Sequence, residues 1–239
     1  MDTIKVQKGK ALMVAHRGVS GIERENTNAA FVAAGNRSYY GIETDIRRTA
    51  DGRFAVSHDD NLQRIAGVDM PVETSTLAEL QSVVLFDKAG RKDRADLRVS
   101  VLENYVAICK KYEKHCVLEL KSDFTDEEIA EIIDIYKRFD YLKNVTFISF
   151  VYSNLTKIRK ICPAQSVQYL FSEFKEGTVE RVVADKMDVD VHFKALSKEI
   201  IAELHEKGIK INCWTVDSKE NAEQLAEWGV DYITSNILE

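Results

Sequence analysis

From Ala11 to Thr234 the chain alternates between two periodicities. Short apolar runs of strand type are followed repeatedly by runs whose apolar residues recur three and four apart. Strand patterns fall at Ala11–Ala15, Gly41–Ile46, Cys116–Leu120, Val145–Phe150, Ser166–Phe171, Met187–Val191, Ile209–Val216 and Tyr232–Thr234. Helix patterns fill the intervals at Thr27–Ala34, Leu102–Tyr112, Asp126–Phe139, Asn154–Ile161, Lys175–Asp185, Lys198–Lys207 and Lys219–Glu227. Asn26 and Thr125 occupy N-cap positions, and Gly35, Gly208 and Gly229 sit where helices should stop. Short connections and right-handed crossovers favour a parallel sheet. Eight strand patterns within 239 residues predict an α/β fold, a (β/α)8 TIM barrel, as one domain over 1–239. An open doubly wound sheet is the alternative. No G-x-G-x-x-G follows the first strand pattern, which argues against a dinucleotide site.

The pattern is interrupted twice. Asp51-Gly52 predicts a tight turn that returns Arg53–Ser57 as a hairpin strand. Residues 61–98 then form a polar, turn-rich stretch with one helical piece at Leu77–Val84, read as a short insertion after the second strand. Its charged part, Arg91–Arg98, is expected to be mobile. Only five residues follow Thr234, so the final helix is truncated or missing.

Hydrophobic residues make up 45% of the chain, enough for a sizeable core, and the net charge is −6. That charge argues against a general nucleic-acid binder, whose footprint is basic. No apolar run reaches the roughly 20 residues that span a bilayer. Met1–Lys10 is polar and lacks a secretory h-region. Cys109, Cys116, Cys162 and Cys213 form no CxxC pair and read as buried free thiols in a reducing cytoplasm.

Polar residues gather where strand patterns end. Glu43 and Asp45 are two apart on one strand and therefore share a face. Two neighbouring acids repel and resist burial. Either a hard divalent cation compensates them, or they lie on a solvated edge. His16 and Arg17 close the first strand, His58 ends the hairpin, and Glu119 and Lys121 close the strand after the insertion. Trp214 lies near the end of the seventh. In a barrel these ends open onto one face, where such enzymes keep their chemistry. Flanking leucines aim Glu119 into the barrel mouth, where a buried acid needs a partner; Lys121 supplies one, for structure or for catalysis. Arg17 is a phosphate ligand or a surface ion-pair residue, and Trp214 a substrate wall or core. His115, His192 and His205 read as ordinary core or surface residues.

Taken in order, these residues resemble the glycerophosphodiester phosphodiesterases. The resemblance rests on His16-Arg17-Gly18, Glu25-Asn26-Thr27, Ile42-Glu43-Thr44-Asp45, Thr49-Ala50-Asp51-Gly52 and His58-Asp59-Asp60-Asn61-Leu62-Gln63-Arg64. Leu118-Glu119-Leu120-Lys121, Ile148-Ser149-Phe150 and Trp214-Thr215-Val216 extend it. It implies a barrel with an inserted segment after the second strand, and a divalent ion, Ca2+ or Mg2+, on Glu43, Asp45 and Glu119. It implies His16 and His58 as the general acid–base pair, for which pKa values near ~6.5 suit neutral pH. Arg17 and Lys121 would then steady the phosphate, Trp214 and Phe150 would meet the glycerol carbons, and Glu25 and Asn26 would support the site. The expected reaction is metal-dependent hydrolysis of a glycerophosphodiester to glycerol 3-phosphate and an alcohol through a cyclic phosphate. A phospholipase D-like action on lysophospholipids or sphingolipids is the alternative, favoured by an apolar groove at the barrel mouth. A non-catalytic phosphoester-binding barrel is the third reading. The chain departs from the family pattern at Arg24, where Pro is usual, and at Val99-Ser100-Val101-Leu102, where Pro-Thr-Leu is usual.

Overall fold

A computed structural model describes residues Asp2–Glu239; Met1, the first residue of the polar lead, lies outside the described residues. The elements run β1 (Leu12–Ala15), α1 (Asn28–Gly35), β2 (Gly41–Arg48), β3 (Phe54–Val56), α2 (Gln63–Ala66), α3 (Leu77–Ser82), α4 (Leu102–Lys111), β4 (His115–Leu120), α5 (Asp126–Arg138) and β5 (Val145–Ser149). They continue with α6 (Tyr152–Ile161), β6 (Ser166–Phe171), α7 (Thr178–Ala184), β7 (Asp188–His192), α8 (Lys198–Glu206), β8 (Ile211–Trp214), α9 (Lys219–Trp228) and β9 (Tyr232–Ser235). The sheet order is β1-β9-β8-β7-β6-β5-β4-β2, and β2 pairs back onto β1. All eight of these strands are parallel, so the sheet is a closed (β/α)8 barrel rather than an open doubly wound sheet. The hairpin strand β3 pairs antiparallel with the far end of β2, as the Asp51-Gly52 turn requires. Among the described residues no helix follows β9; Glu239 exchanges backbone hydrogen bonds with Ile4 and Val6.

The helices pack on the barrel through apolar faces. In α5, Ile129, Ile132, Ile133 and Tyr136 are buried, while Thr125 and Glu128 close a reciprocal capping box at its start. Each buried aliphatic side chain contributes about 1.5–3 kcal/mol and the box about 1 kcal/mol. Inside the barrel Val14, Val117, Ile148 and Leu170 form an apolar plug against Tyr40, Trp214 and Tyr232.

The insertion is less polar than its sequence. Leu62, Ile65, Val72, Leu77, Leu80, Leu85 and Leu97 form a separate small core with Ala55, Val99 and Val101. Nor does the charged stretch hang free. Arg91 pairs with Asp87, Arg94 with Glu23 and Asp96, and Arg98 donates to the carbonyls of Gln81 and Ser82. Arg24 donates to the carbonyls of Phe86 and Asp87, fastening the insertion onto the loop after β1. The departure from Pro at this position thus has a structural use.

Candidate active site

Strand register sets the acidic centre. β2 and β4 run side by side with Asp45 opposite Glu119 and Glu43 opposite Val117. Period-two alternation turns all three carboxylates inward, and one oxygen from each lies within 4.8 Å of the others. All three residues are buried, which removes the solvated-edge reading. Burial and the Asp45 charge push Glu43 well above the carboxylate range and Glu119 up to about 8. Burial pushes Asp45 up as well, but Arg17, His58, Lys121 and the Asn26 hydrogen bond outweigh it and the net shift is downward. Asp45 Oδ1 has no hydrogen-bond partner although it is buried. Crowded and desolvated, the three carboxyl groups resist carrying their charges together, and a divalent cation on these hard oxygen ligands would offset that cost. The donor set fits such an ion.

The loop after β1 holds the other side. Arg17 (φ 53) and Gly18 (φ 74) both take left-handed backbone conformations. A Cβ at Gly18 would stand 2.7 Å from Ala30, so the bend admits no side chain there. The bend aims the Arg17 N–H at Glu43 Oε2, at 2.8 Å, and the Gly18 N–H at the Glu43 carbonyl, at 3.2 Å. Asn26 is not the cap of α1; Thr27 is. Asn26 instead donates to Asp45 Oδ2 at 2.8 Å and accepts from Thr44. Arg17 pairs with Glu25, and Glu25 with Arg64, which continues to Asp59. Against the opposing effect of burial, these guanidinium groups hold the Glu25 carboxyl down at about 2.

His16 Nδ1 lies 2.8 Å from Asn236 Oδ1, and the Asn236 amide donates to Asp217 at 2.6 Å. The amide oxygen therefore faces His16, so Nδ1 carries the proton and Nε2 is free. Nε2 points toward Glu43, 4.0 Å away. His58 is arranged alike, with Nδ1 2.8 Å from Asp59 Oδ1. Neither imidazole keeps the ordinary pKa expected from sequence. Burial, then the Arg17 charge, bring His16 down to about 4; burial lowers His58 too, opposed by Asp45 and Asp59.

His16, Arg17, Glu43, His58, Glu119 and Lys121 line one side of a cavity of about 90 Å3. Lys121 Nζ is 2.9 Å from Glu119 and 3.8 Å from Asp45, the partner the buried acid required. The opposite side is largely apolar. Phe150, 45% exposed, meets Trp214 edge-on at 5.8 Å, above Ile148 and Leu170. Phe150 and Leu170 also border a second groove, lined further by Tyr169, Phe171, Ser172, Glu173 and Lys175. The structure thus brings His16, His58, Glu43, Asp45, Glu119, Arg17, Lys121, Trp214 and Phe150 to one mouth, with Glu25 and Asn26 behind it. The sequence reading overlooked Asp190, on the cavity wall, and Asn236 and Asp217, which hold His16. Position at a strand end was the signal available for Asn236, one residue beyond β9.

The model of the glycerophosphoryl diester phosphodiesterase family matches residues 16–238. A glycerophosphodiester phosphodiesterase of Caldanaerobacter subterraneus subsp. tengcongensis is 27% identical over 236 residues, 95% of this chain and 94% of that one. A lysophospholipase D of Rattus norvegicus is 28% identical over 139 residues, 56% of this chain and 44% of that one. The structure of an Oleispira antarctica phosphodiesterase in complex with the product sn-glycerol-3-phosphate shares the fold, with a TM-score of 0.88, 24% identity and coverage of 98% of this chain and 96% of that one. Among the described residues no helix is long and apolar enough to cross a membrane. Matched from His16 almost to its last residue, the chain belongs to the glycerophosphoryl diester phosphodiesterase family, a family of phosphoric diester hydrolases.

Proposed function

We propose that this protein hydrolyses glycerophosphodiesters to glycerol 3-phosphate and an alcohol, using a divalent cation and two histidines. The observation that carries the reading is a buried three-carboxylate cluster facing the same cavity as two imidazoles with free Nε2 atoms. Glu43, Asp45 and Glu119 would hold Ca2+ or Mg2+, which when bound supplies Lewis-acid charge to a phosphate oxygen and a glycerol hydroxyl. His16, held by a neutral amide and kept uncharged by burial, takes the proton of the glycerol 2-hydroxyl at Nε2. That oxygen attacks phosphorus, and the bond to the leaving alcohol breaks. His58, which has a carboxylate partner in Asp59 to support its imidazolium, gives the departing oxygen its proton. Water then opens the cyclic phosphate with the two histidines exchanging roles. Arg17 and Lys121 offset the charge on the phosphate oxygens, and Trp214 and Phe150 hold the glycerol carbons. The test is release of glycerol 3-phosphate from glycerophosphocholine by purified protein with Ca2+ or Mg2+. No release with either metal would refute it.

A specific observation favours a second reading, cleavage of lysophospholipids by the same residues. The groove bounded by Phe150, Tyr169 and Phe171 is largely aromatic and shares Phe150 and Leu170 with the site, so an acyl chain carried on the glycerol unit, the part that keeps the phosphate, would lie there. Side-by-side rates on glycerophosphocholine and lysophosphatidylcholine separate the two.

A further inference from the structure

Asp190 is buried in the barrel without a task. It sits on β7, 2% exposed, between Leu170 on β6 and Asn212 on β8 in the sheet register. Around the closed barrel, β7 stands four staves from β2 by either route, directly opposite the strand that carries Glu43 and Asp45. The Asp190 side chain lines the same cavity as those acids, and its Oδ1 is buried with no hydrogen-bond partner. The other polar residues at this level satisfy one another. Asn212 reaches Gln168 at 3.5 Å and accepts from Thr234 at 3.1 Å, and Trp214 Nε1 donates to the Asp190 main-chain carbonyl at 3.4 Å. A buried carboxyl left open in this way calls for an explanation, because such groups are almost always partnered.

We infer that Asp190 is a specificity-determining residue that hydrogen-bonds the terminal hydroxyl of the substrate's glycerol unit. The inference rests on the proposed glycerophosphodiester activity and names what that site reads. Phosphate charge belongs on the side of the cavity built by Arg17, Lys121 and the acidic cluster. The apolar wall of Ile148, Phe150, Leu170 and Trp214 suits the carbon chain. A three-carbon polyol anchored at its phosphate and laid along that wall puts its far hydroxyl on the Asp190 side. Burial raises the Asp190 carboxyl well above the usual range, which favours the protonated acid. A carboxylic acid both donates and accepts, as a hydroxyl group needs.

The test compares glycerophosphocholine with the diester in which propane-1,2-diol replaces glycerol. The analogue keeps the attacking hydroxyl and lacks only the terminal one. Wild-type protein should favour the glycerol substrate by about 10- to 100-fold in kcat/KM, because the analogue leaves a buried polar group unpaired. Asp190→Leu should erase that preference by slowing the glycerol substrate alone, chiefly through KM. Asp190→Asn, which still donates and accepts, should retain most of it. An active wild-type protein indifferent to the missing hydroxyl would overturn the role of Asp190 and leave the activity standing. So would an Asp190→Leu protein that slows both substrates equally. Should the leucine variant not fold, the wild-type comparison and Asp190→Asn still decide. A wild-type protein inactive on both substrates strikes the proposed activity and, with it, this role.

Discussion

His16 and Asn236 are 220 residues apart in sequence and 2.8 Å apart in space. Asp217 fixes the amide, the amide fixes the imidazole tautomer, and the free Nε2 is thereby presented to the cavity. Asn236→Leu should therefore reduce kcat on the order of 10-fold or more with little change in KM. Steady-state kinetics on glycerophosphocholine check this, and an unchanged kcat would remove the relay.

The two histidines should separate by leaving group. His16→Ala and His58→Ala should each lower the rate on glycerophosphocholine by about 10²-fold or more. With a p-nitrophenyl ester, whose leaving group needs no proton, His58→Ala should recover most of its rate while His16→Ala stays slow. The reverse pattern would exchange their assignments.

Metal should be visible in stability as well as in activity. The three buried acids repel one another, so an ion bound only by the folded state should raise Tm. Differential scanning fluorimetry with Ca2+ or Mg2+ should show a rise that a chelator removes and that Glu119→Gln diminishes. Turnover should stop on chelation and return on metal addition.

If the aromatic groove receives an acyl chain, Phe171→Ala should raise KM for lysophosphatidylcholine on the order of 10-fold through lost apolar contact. Glycerophosphocholine should be unaffected. Equal effects on both substrates would confine Phe171 to packing.

Acid should loosen the fold through His115. This histidine is packed against Tyr40 with its ring bonded to Thr146, and burial brings its pKa from 6.5 down to about 4. Between those values the unfolded chain binds a proton that the folded chain refuses. Stability therefore falls as pH is lowered from about 6.5 toward 4. Urea midpoints measured at pH 7 and pH 5 should diverge in wild type and converge in part in His115→Gln. His16, with the same direction of shift, accounts for a share of the remaining slope.

The barrel was legible because its signals are local. Thr125 and Glu128 announce the start of α5, Asp51-Gly52 the hairpin, and the apolar periodicities the staves. Strand alternation put Glu43 and Asp45 on one face, the family resemblance added Glu119 to them, and the register of β2 against β4 is what brings the three together. The insertion was misjudged because its apolar residues come from irregular loops with no period to detect. Asn26 took a capping signature one residue too early, since Thr27 does the capping and frees Asn26 for Asp45. Asp190 gave no sign: on a strand reading Asp-Val-Asp-Val-His, nothing local separates a buried acid from a solvated one.

The bond from His16 to Asn236 also sets a clock on synthesis. A ribosome makes the imidazole, the acids and the lysine long before it adds residue 236. Until then the base has no amide to hold its ring, and the first stave has no ninth strand to lie against. A nascent chain should thus remain chemically silent until residue 236 has been added, and competence should arrive together with the closing of the barrel.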